Sequence, residues 1–451
     1  MSTPTASRSR GRRLREKSIG IGSSTAIGIA STAPAYSLAV SVGLLAAYAG
    51  GAAPLVLALS AIPVVLVALC FRELNRTEPD CGTNFAWTEK AFGLATGRMV
   101  GWTTVMACVL VMSNLAQVAA IYTYTLLGLD GLAESRVGQA VLGTAMIGVM
   151  AYLAYRGVRI AARMQIALVC LELAALLYFA IKAFAGADSI SLPTTTGSGS
   201  WAAAVLVAIF LYWGWDSSFS INEESVEPNR TPAIGALLTN AALVLVYVVV
   251  AWAAVAYAGL DRLSGVGEDD FFATLSDDLL GTTGGRVLIG AVLISALASP
   301  QTTILPTART MLSMARRDAF PGQFARISAK YQTPTVSTWA FAVASALIYV
   351  LLVLTSEAVL ADSVAAISVL VSLYYLATAI AVPLYFKGSL DGRLVQRLVV
   401  PVLAAVCFAM VLVLAVFDVG VGPLVVVGVS LAVGAAVMFS MKPHTPEGDP
   451  E

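Results

Sequence analysis

Charged residues are scarce in this chain of 451 residues. They make up 12% of it, and the charges of the 27 basic and 27 acidic residues sum to zero. A soluble protein carries about 25% charged residues, so a soluble domain of any size is not expected. Histidine is rarer still, because the one histidine, His444, stands in a polar C-terminal segment. This excludes catalysis or haem ligation by a buried histidine, and the zero net charge makes nucleic acid an unexpected partner.

Cysteine is also sparse. The five cysteines show no metal-ligand spacing, so we expect reduced thiols, no metal and no cofactor. They are Cys70, Cys81, Cys108, Cys170 and Cys407. The basic start of the chain runs into a long apolar segment without an Ala-x-Ala site, and we expect no cleavable signal peptide there.

Apolar residues, in contrast, make up 58% of the chain, and the mean hydropathy is +0.83. A bilayer crossing needs about 20 apolar residues, and such segments recur along the whole length. The pattern predicts an all-α polytopic membrane protein with twelve transmembrane helices. We place them at residues 19–46, 53–72, 98–127, 136–154, 160–184, 201–222, 233–258, 285–311, 336–355, 361–386, 397–417 and 421–441.

The basic residues support this layout. With a basic tail at 1–18 placed in the cytoplasm, 23 of the 27 basic residues fall on the inner side and the remaining 4 on the outer side. Cytoplasmic loops carry such an excess of Lys and Arg. We therefore expect a multi-pass protein of the plasma membrane whose N-terminal tail and C-terminal tail, 442–451, are both cytoplasmic.

The most informative stretch is 201–232. Its first half, Ala202–Leu211, has no charge, and Tyr212-Trp213-Gly214-Trp215-Asp216 then places a carboxylate inside a membrane segment. A charge there costs roughly 2.5–3.5 kcal/mol, so it should face protein or water. Gly214 leaves the helical region at little cost and frees backbone carbonyls. This predicts a broken helix with a site for a cationic group, whereas an ordinary kinked helix with Asp216 tied to a neighbour is the alternative.

The first span carries a similar interruption at Gly28–Pro34, where Pro34 removes a backbone donor. Both breaks occupy corresponding positions in two runs of five spans, which is a pointer to a transporter site. We predict a first repeat at 19–184, a second and inverted repeat at 201–386, and two further helices at 397–441.

Four motifs resemble the amino acid–polyamine–organocation superfamily. The sixth span has Trp213–Asp216 followed by Asn222–Pro232, and the loop after span two has Glu73-Leu74 and then Pro79–Trp87. The segment Arg309–Pro321 and the pair Thr333-Pro334 match as well. Each motif is loose, but the four in this order are specific for the superfamily.

This resemblance implies a LeuT-like fold of two inverted five-helix repeats in which helices 1 and 6 are broken. It also implies that a substrate carboxylate meets backbone amides of helix 1 and that its amine meets carbonyls of helix 6. Where relatives have Gly-Ser-Gly, this chain has Gly-Ile-Ala followed by Ser31 and Thr32, which are candidates to supply the missing hydroxyl. The candidate substrate-binding residues are Gly28, Ile29, Ala30, Ser31, Thr32, Tyr212, Trp213, Gly214, Trp215 and Asp216.

The fifth span departs from its relatives. Gly157-Val158-Arg159 and Gln165 resemble a pattern that in several proton-coupled or exchanging relatives ends in a lysine bridging helices 1 and 5, and here that position is Glu172. A lone membrane carboxylate suits a proton carrier, because desolvation favours its neutral form. The alternative is a hydrogen-bonded contact between helices.

These features favour a secondary transporter of amino acids or related small amines that works by alternating access, with proton symport and exchange both open. A polyamine or ethanolamine-type amine carrier is the alternative within transport. A non-transporting receptor on the same fold and a membrane enzyme are alternatives from other classes; neither a sensory domain nor a catalytic motif supports them. Glu223 and Glu224, with Arg230 nearby, are expected to form a gate or a structural ion pair. The oligomeric state stays open.

Overall fold

The structure is a computed structural model that describes residues 14, 17–188, 190, 199–266, 271–355, 359–389 and 392–440. Most of the predicted basic tail at 1–18, and the C-terminal tail at 442–451 with His444, lie outside the described residues. The side chains of residues 158–164, which include Arg159, lie outside them as well.

Sixteen α-helices make up nearly all of the described chain. The first eight are α1 Ile21–Thr32, α2 Pro34–Ala49, α3 Ala53–Thr77, α4 Asn84–Phe92, α5 Leu94–Leu126, α6 Asp130–Ala133, α7 Arg136–Arg156 and α8 Val158–Gly186. The others are α9 Trp201–Tyr212, α10 Ser217–Ser220, α11 Thr231–Val266, α12 Phe271–Arg316, α13 Thr335–Thr355, α14 Val359–Tyr385, α15 Val400–Asp418 and α16 Val421–Ser440. Within the described ranges there is no strand, only isolated bridges between Ile19 and Ser225 and between Ile327 and Pro334.

The described residues contain eleven helical stretches that are long and apolar enough to cross a membrane. The first, Ile21–Thr77, has 57 residues. At a rise of about 1.5 Å per residue it is nearly three times as long as the roughly 30 Å bilayer core. Its interruptions at Ala33 and Gly50–Ala52 give it room for two crossings. The chain is a polytopic all-helical membrane protein, and the count of twelve crossings stays a prediction.

Helices α12 and α4 differ most from the predicted layout. The helix expected from residue 285 begins at Phe271 and kinks at Gly281, which has a φ of 67°. The extension was not predicted, because it contains acidic residues such as Asp278 and therefore does not continue the apolar segment. Helix α4 lies in the loop after α3, where its nine residues are too few to register as a span.

The two interrupted helices occupy the centre of the bundle. Helix α1 packs against α8, α11 and α12, while α2 packs against α9, α11 and α12. Around them, α15 and α16 present large exposed apolar side chains such as Val406, Phe417 and Val421. Exposed apolar surface on this scale is suited to lipid contact. The division into repeats at 19–184 and 201–386 remains a prediction.

A buried ion pair joins the segment after α10 to α12. The Arg309 guanidinium donates to the Glu224 carboxylate at 2.6 Å and to the Leu305 carbonyl at 2.8 Å. Both charged side chains are at most 1% exposed. Glu223 instead pairs with Arg316 at 3.1 Å, where both partners are partly exposed. Both glutamates thus form ion pairs, with basic residues of α12, whereas the nearby Arg230 is exposed just before α11.

We expect Glu224→Gln to destabilise the protein strongly, because it leaves the Arg309 guanidinium buried without a counter-charge. Breaking such a pair costs about 3–5 kcal/mol, whereas an exposed pair contributes about 1 kcal/mol or less. Melting of the purified protein in detergent would measure this, with Glu223→Gln as the matched control. Equal melting temperatures for the two variants would contradict this prediction.

Candidate functional site

The two helix breaks lie against each other. Gly214 adopts a φ of 122°, in a region that side chains disfavour. A Cβ atom at this position would lie 2.7 Å from the Ser31 carbonyl carbon and 2.8 Å from the Thr32 nitrogen. The backbone of the sixth-span break therefore touches the end of α1, and only glycine permits this approach.

Between α9 and α10 the chain leaves the helical path over Trp213–Asp216. Among the described residues, no backbone hydrogen bond is made by the carbonyls of Tyr212 and Trp213 or by the N–H groups of Gly214 and Trp215. The helix resumes when the Ser217 N–H donates to the Gly214 carbonyl at 3.1 Å. Because unpaired buried peptide groups are costly, this segment is suited to binding a polar guest.

A cavity adjoins both breaks and has a volume of about 50 Å³, counted as the space open to the centres of water molecules. This is room for roughly four waters, at about 10–15 Å³ for each one. Five of the predicted site residues line it. They are Ser31, Thr32, Trp213, Gly214 and Asp216. The cavity extends from Tyr36 and Phe210 to Asn84 and Thr310.

Asp216 carries the one charged side chain in the lining of this cavity. Its Oδ2 accepts a hydrogen bond from the Tyr374 hydroxyl at 2.8 Å, and the Trp213 indole N–H donates to the same hydroxyl. In the part of the chain that the structure describes, Asp216 has no salt bridge to a basic residue. Asp216 is thus held in place by a neutral donor while its charge faces the cavity.

Three predicted residues of the first span do not line the cavity. Helix α1 continues through Gly28, Ile29 and Ala30, and the break falls at Ala33, which has a φ of 47°. A Cβ at Gly28 would meet Thr239 and Ser218, while Ile29 and Ala30 pack beside Val169 of α8. The break lies later because Pro34 has no N–H for the Ala30 carbonyl and disfavours the helical region in the residue before it.

Two of the three predicted aromatic residues, Tyr212 and Trp215, do not line the cavity and instead pack against neighbouring helices. The Tyr212 hydroxyl donates to the Leu57 carbonyl at 3.0 Å. Trp215 is fully buried and packs edge-on against Phe71. Only Trp213 lines the cavity, so of the three only its ring is placed to face a guest.

Glu172 does not line the cavity, but it holds the first break in place. Its Oε1 accepts hydrogen bonds from the Ala35 N–H at 2.6 Å and from the Ser295 hydroxyl at 2.5 Å. Ala35 is in the first turn of α2, where backbone N–H groups have no partner within the helix. Glu172 therefore caps α2 and ties it to α8 and α12. This is a hydrogen-bonded contact between helices, and proton coupling by Glu172 stays a prediction.

Several residues of the cavity were absent from the predicted site. Tyr374 orients Asp216, and Tyr36 donates to Asn114 at 2.6 Å while its ring meets Phe210 edge-on. The sequence offered a signal for Tyr374. The pair Tyr374-Tyr375 places two hydroxyls inside an apolar span, and a buried phenol usually has a hydrogen-bond partner. The polar residues Ser299 and Thr303 of α12 also line the cavity.

One group of possible metal ligands, Asp80, Cys81 and Glu223, is present among the described residues. Arg317 contacts Asp80 at 2.6 Å, Arg316 contacts Glu223, and the Cys81 thiol donates to the Arg309 carbonyl. Burial raises the pKa of the Cys81 thiol well above its usual range, and the neighbouring Glu223 and Asp80 charges add to this. Asp80 and Glu223 thus form ion pairs with arginines on either side of a neutral Cys81 thiol, and this arrangement does not suit a metal ion.

The sequence model of a family described as "Amino acid permease" matches residues 19–440, which is nearly the whole chain. The chain belongs to the amino acid permease family. This confirms the superfamily resemblance, and the family is described as one of permeases and not of enzymes.

Two proteins of Bacillus subtilis (strain 168) are similar to this chain. A "Methylthioribose transporter" is 23% identical over 62% of this chain and 63% of its own length. A "Branched-chain amino acid permease BcaP" is 25% identical over 64% of this chain and 65% of its own length. The alignments thus cover less than two thirds of either relative, and the two names differ in substrate.

We expect Gly214→Ala to lower both the stability of this permease and its affinity for its substrate, because the added Cβ would overlap the Ser31 and Thr32 backbone. Gly128→Ala is the matched control, since Gly128 also has a positive φ, 67°, but nothing within 4 Å of its Cβ position. Melting in detergent and substrate uptake would compare the two variants. If Gly214→Ala lowers the melting temperature and the uptake no more than Gly128→Ala does, the contact between the breaks is unimportant for stability and transport.

Proposed function

We propose that this protein is a secondary transporter that moves a small amine or amino acid across the plasma membrane by alternating access, with both termini in the cytoplasm. The observation that carries the proposal is the meeting of the two breaks beside one cavity. Trp213, whose carbonyl has no backbone partner among the described residues, and the Asp216 carboxylate then adjoin the same guest. Interrupted helices paired in this way are a hallmark of sites in secondary transporters.

The ammonium group is the part of the substrate that this site supports best. The Asp216 carboxylate supplies a charge, and the Trp213 carbonyl supplies an acceptor. The Trp213 ring offers an aromatic face, and a cation near such a face within about 6 Å gains roughly 0.5–2 kcal/mol. The names of the two relatives support transport of a small solute, but they do not agree on which one.

Energy coupling is proposed to involve Glu172, either in proton symport or in exchange. Its carboxylate touches α2 and α12 and belongs to α8, so a change in its charge acts on the first break directly. Its two hydrogen-bond donors belong to two other helices, so a rearrangement of those helices changes the surroundings of the carboxylate. Such a contact suits a group that gains or loses a proton during transport.

We expect Asp216→Asn to weaken substrate binding at least tenfold and to abolish measurable uptake while the protein stays folded. A hydrogen bond to a charged group contributes about 1.5–3 kcal/mol, which is roughly a factor of 10 to 150. Tyr374→Phe is the control, because it removes the hydroxyl that orients Asp216 but keeps the charge, and we expect a smaller loss. Uptake into reconstituted vesicles checks both variants, and unaltered uptake by Asp216→Asn would remove Asp216 from the site.

We expect Glu172→Gln to flatten the pH dependence of uptake, because glutamine still accepts the Ala35 hydrogen bond but cannot take up a proton. The measurement is initial uptake in vesicles at several external pH values, with and without a proton gradient. Ser295→Ala serves as the control, since it alters the same contact without removing the titratable group. Retention of full proton coupling in Glu172→Gln would assign the coupling elsewhere.

A further inference from the structure

Most hydroxyl groups in the lining of the cavity already donate a hydrogen bond within the protein. The Thr32 hydroxyl donates to the Ile29 carbonyl at 2.6 Å, and the Thr307 hydroxyl donates to the Thr303 carbonyl at 2.7 Å. Such a hydroxyl has its acceptor without any guest. Four further lining residues whose hydroxyls donate to backbone carbonyls are Ser37, Thr104, Ser299 and Thr303.

Three buried hydroxyls of the lining differ from these. They belong to Ser217 and Ser220 of α10 and to Thr310 of α12, which are 4%, 5% and 2% exposed. Among the described residues the Ser217 hydroxyl has no hydrogen-bond partner, and no hydrogen bond joins the Ser220 or the Thr310 hydroxyl to another side chain or to the backbone. Because a buried polar group without a partner is costly, these hydroxyls are suited to binding a guest.

The three hydroxyls share one small cavity with Asp216. Ser217 follows Asp216 directly in the chain, and Ser220 lies on the same face of α10, since positions three apart in a helix have Cβ atoms about 5–6 Å apart. Helix α10 packs against α12, which carries Thr310. The cavity has room for roughly four waters, so a guest bound at Asp216 fills most of it and adjoins these hydroxyls.

The chemistry of the three hydroxyls differs from that of Asp216. A carboxylate accepts hydrogen bonds, whereas a serine or threonine hydroxyl also donates one. An ammonium group only donates, and the Asp216 carboxylate is its acceptor. An oxygen group of the same guest would accept from the hydroxyls, while an apolar group in its place would leave them unpaired. A site that hydrogen-bonds a substrate group discriminates strongly against the analogue that lacks it.

We propose that Ser217, Ser220 and Thr310 form a second polar subsite, which binds an oxygen group of the substrate, a hydroxyl or a carboxylate, close to its ammonium group. This inference rests on the proposed transport function, and it narrows the substrate to small amines that carry such an oxygen. The sequence gave no signal for these residues, because most serine and threonine side chains in helices bond to nearby backbone.

The test compares oxygen-bearing amines with apolar amines of nearly the same shape. Ethanolamine is paired with propylamine, in which a methyl group replaces the hydroxyl, and glycine is paired with isobutylamine, in which an isopropyl group replaces the carboxylate. Binding to the purified full-length protein is measured by thermal shift, and uptake is measured in reconstituted vesicles. We expect the oxygen compound of at least one pair to bind about tenfold or more tightly, and the pair concerned identifies the oxygen group.

The outcomes separate the subsite from the transport function. Uptake of any of the four compounds with a smaller preference than this in both pairs would overturn the subsite and leave transport standing. If none of the four binds, the same comparison is made with the tightest-binding member of a wider panel of amines and amino acids and its apolar analogue. Failure of the whole panel to bind or to be taken up would overturn both.

Three variants assign the preference to single hydroxyls, because Ser217→Ala, Ser220→Ala and Thr310→Val each remove one. We expect each to weaken binding of the oxygen compound about 2- to 10-fold, as loss of one neutral hydrogen bond implies. The affinity for the apolar analogue should stay the same. An equal loss for both compounds would exclude that residue from the subsite.

Ser218→Ala and Thr302→Val are the matched controls. The Ser218 hydroxyl donates to the Ser24 carbonyl at 3.0 Å, the Thr302 hydroxyl donates to the Ser299 carbonyl at 2.9 Å, and neither residue lines the cavity. We expect both controls to keep the preference, even where their melting temperature falls. An unchanged preference in every subsite variant that folds, or the same change in the controls, would overturn the subsite.

Discussion

The contact between two stretches of backbone, at Gly214 and at Ser31–Thr32, is the constraint on which the rest of this structure depends. The peptide groups of the sixth-span break can lose their helical partners only where other protein atoms or a guest replace them. The same contact brings Asp216 to the cavity and sets Trp213 beside it. Buried apolar residues of the surrounding helices pack around the pair, and the polar segment adjoins one small cavity.

Glu172 complements this arrangement from the other side of the first break. Pro34 ends α1, Ala33 turns the chain, and α2 then starts with N–H groups that need acceptors. A carboxylate from α8, supported by Ser295, satisfies the Ala35 N–H. Three helices are joined at one atom, so the position of the break relative to the bundle depends on the charge and geometry of a single side chain.

Much of this could be predicted from local chemistry. Gly214 and Pro34 have physical properties that interrupt helices wherever they occur, and a carboxylate in an apolar span indicates a buried polar contact. Gly28 to Ala30 were predicted by matching a motif of relatives, whereas the chemistry of Pro34 places the break after them, and they do not line the cavity. Tyr374 and Arg309 act through contacts between distant helices, and no local pattern specifies which neighbour a side chain will reach.

Asp216 faces the cavity and has no basic partner among the described residues, and this has an electrical consequence for a carrier. When it is ionised, the vacant site holds one negative charge, and a monovalent ammonium guest cancels it. Moving one elementary charge across 100 mV changes the free energy by about 2.3 kcal/mol. The membrane voltage would then act on the return of the unloaded carrier, while the loaded one would cross as an electroneutral unit.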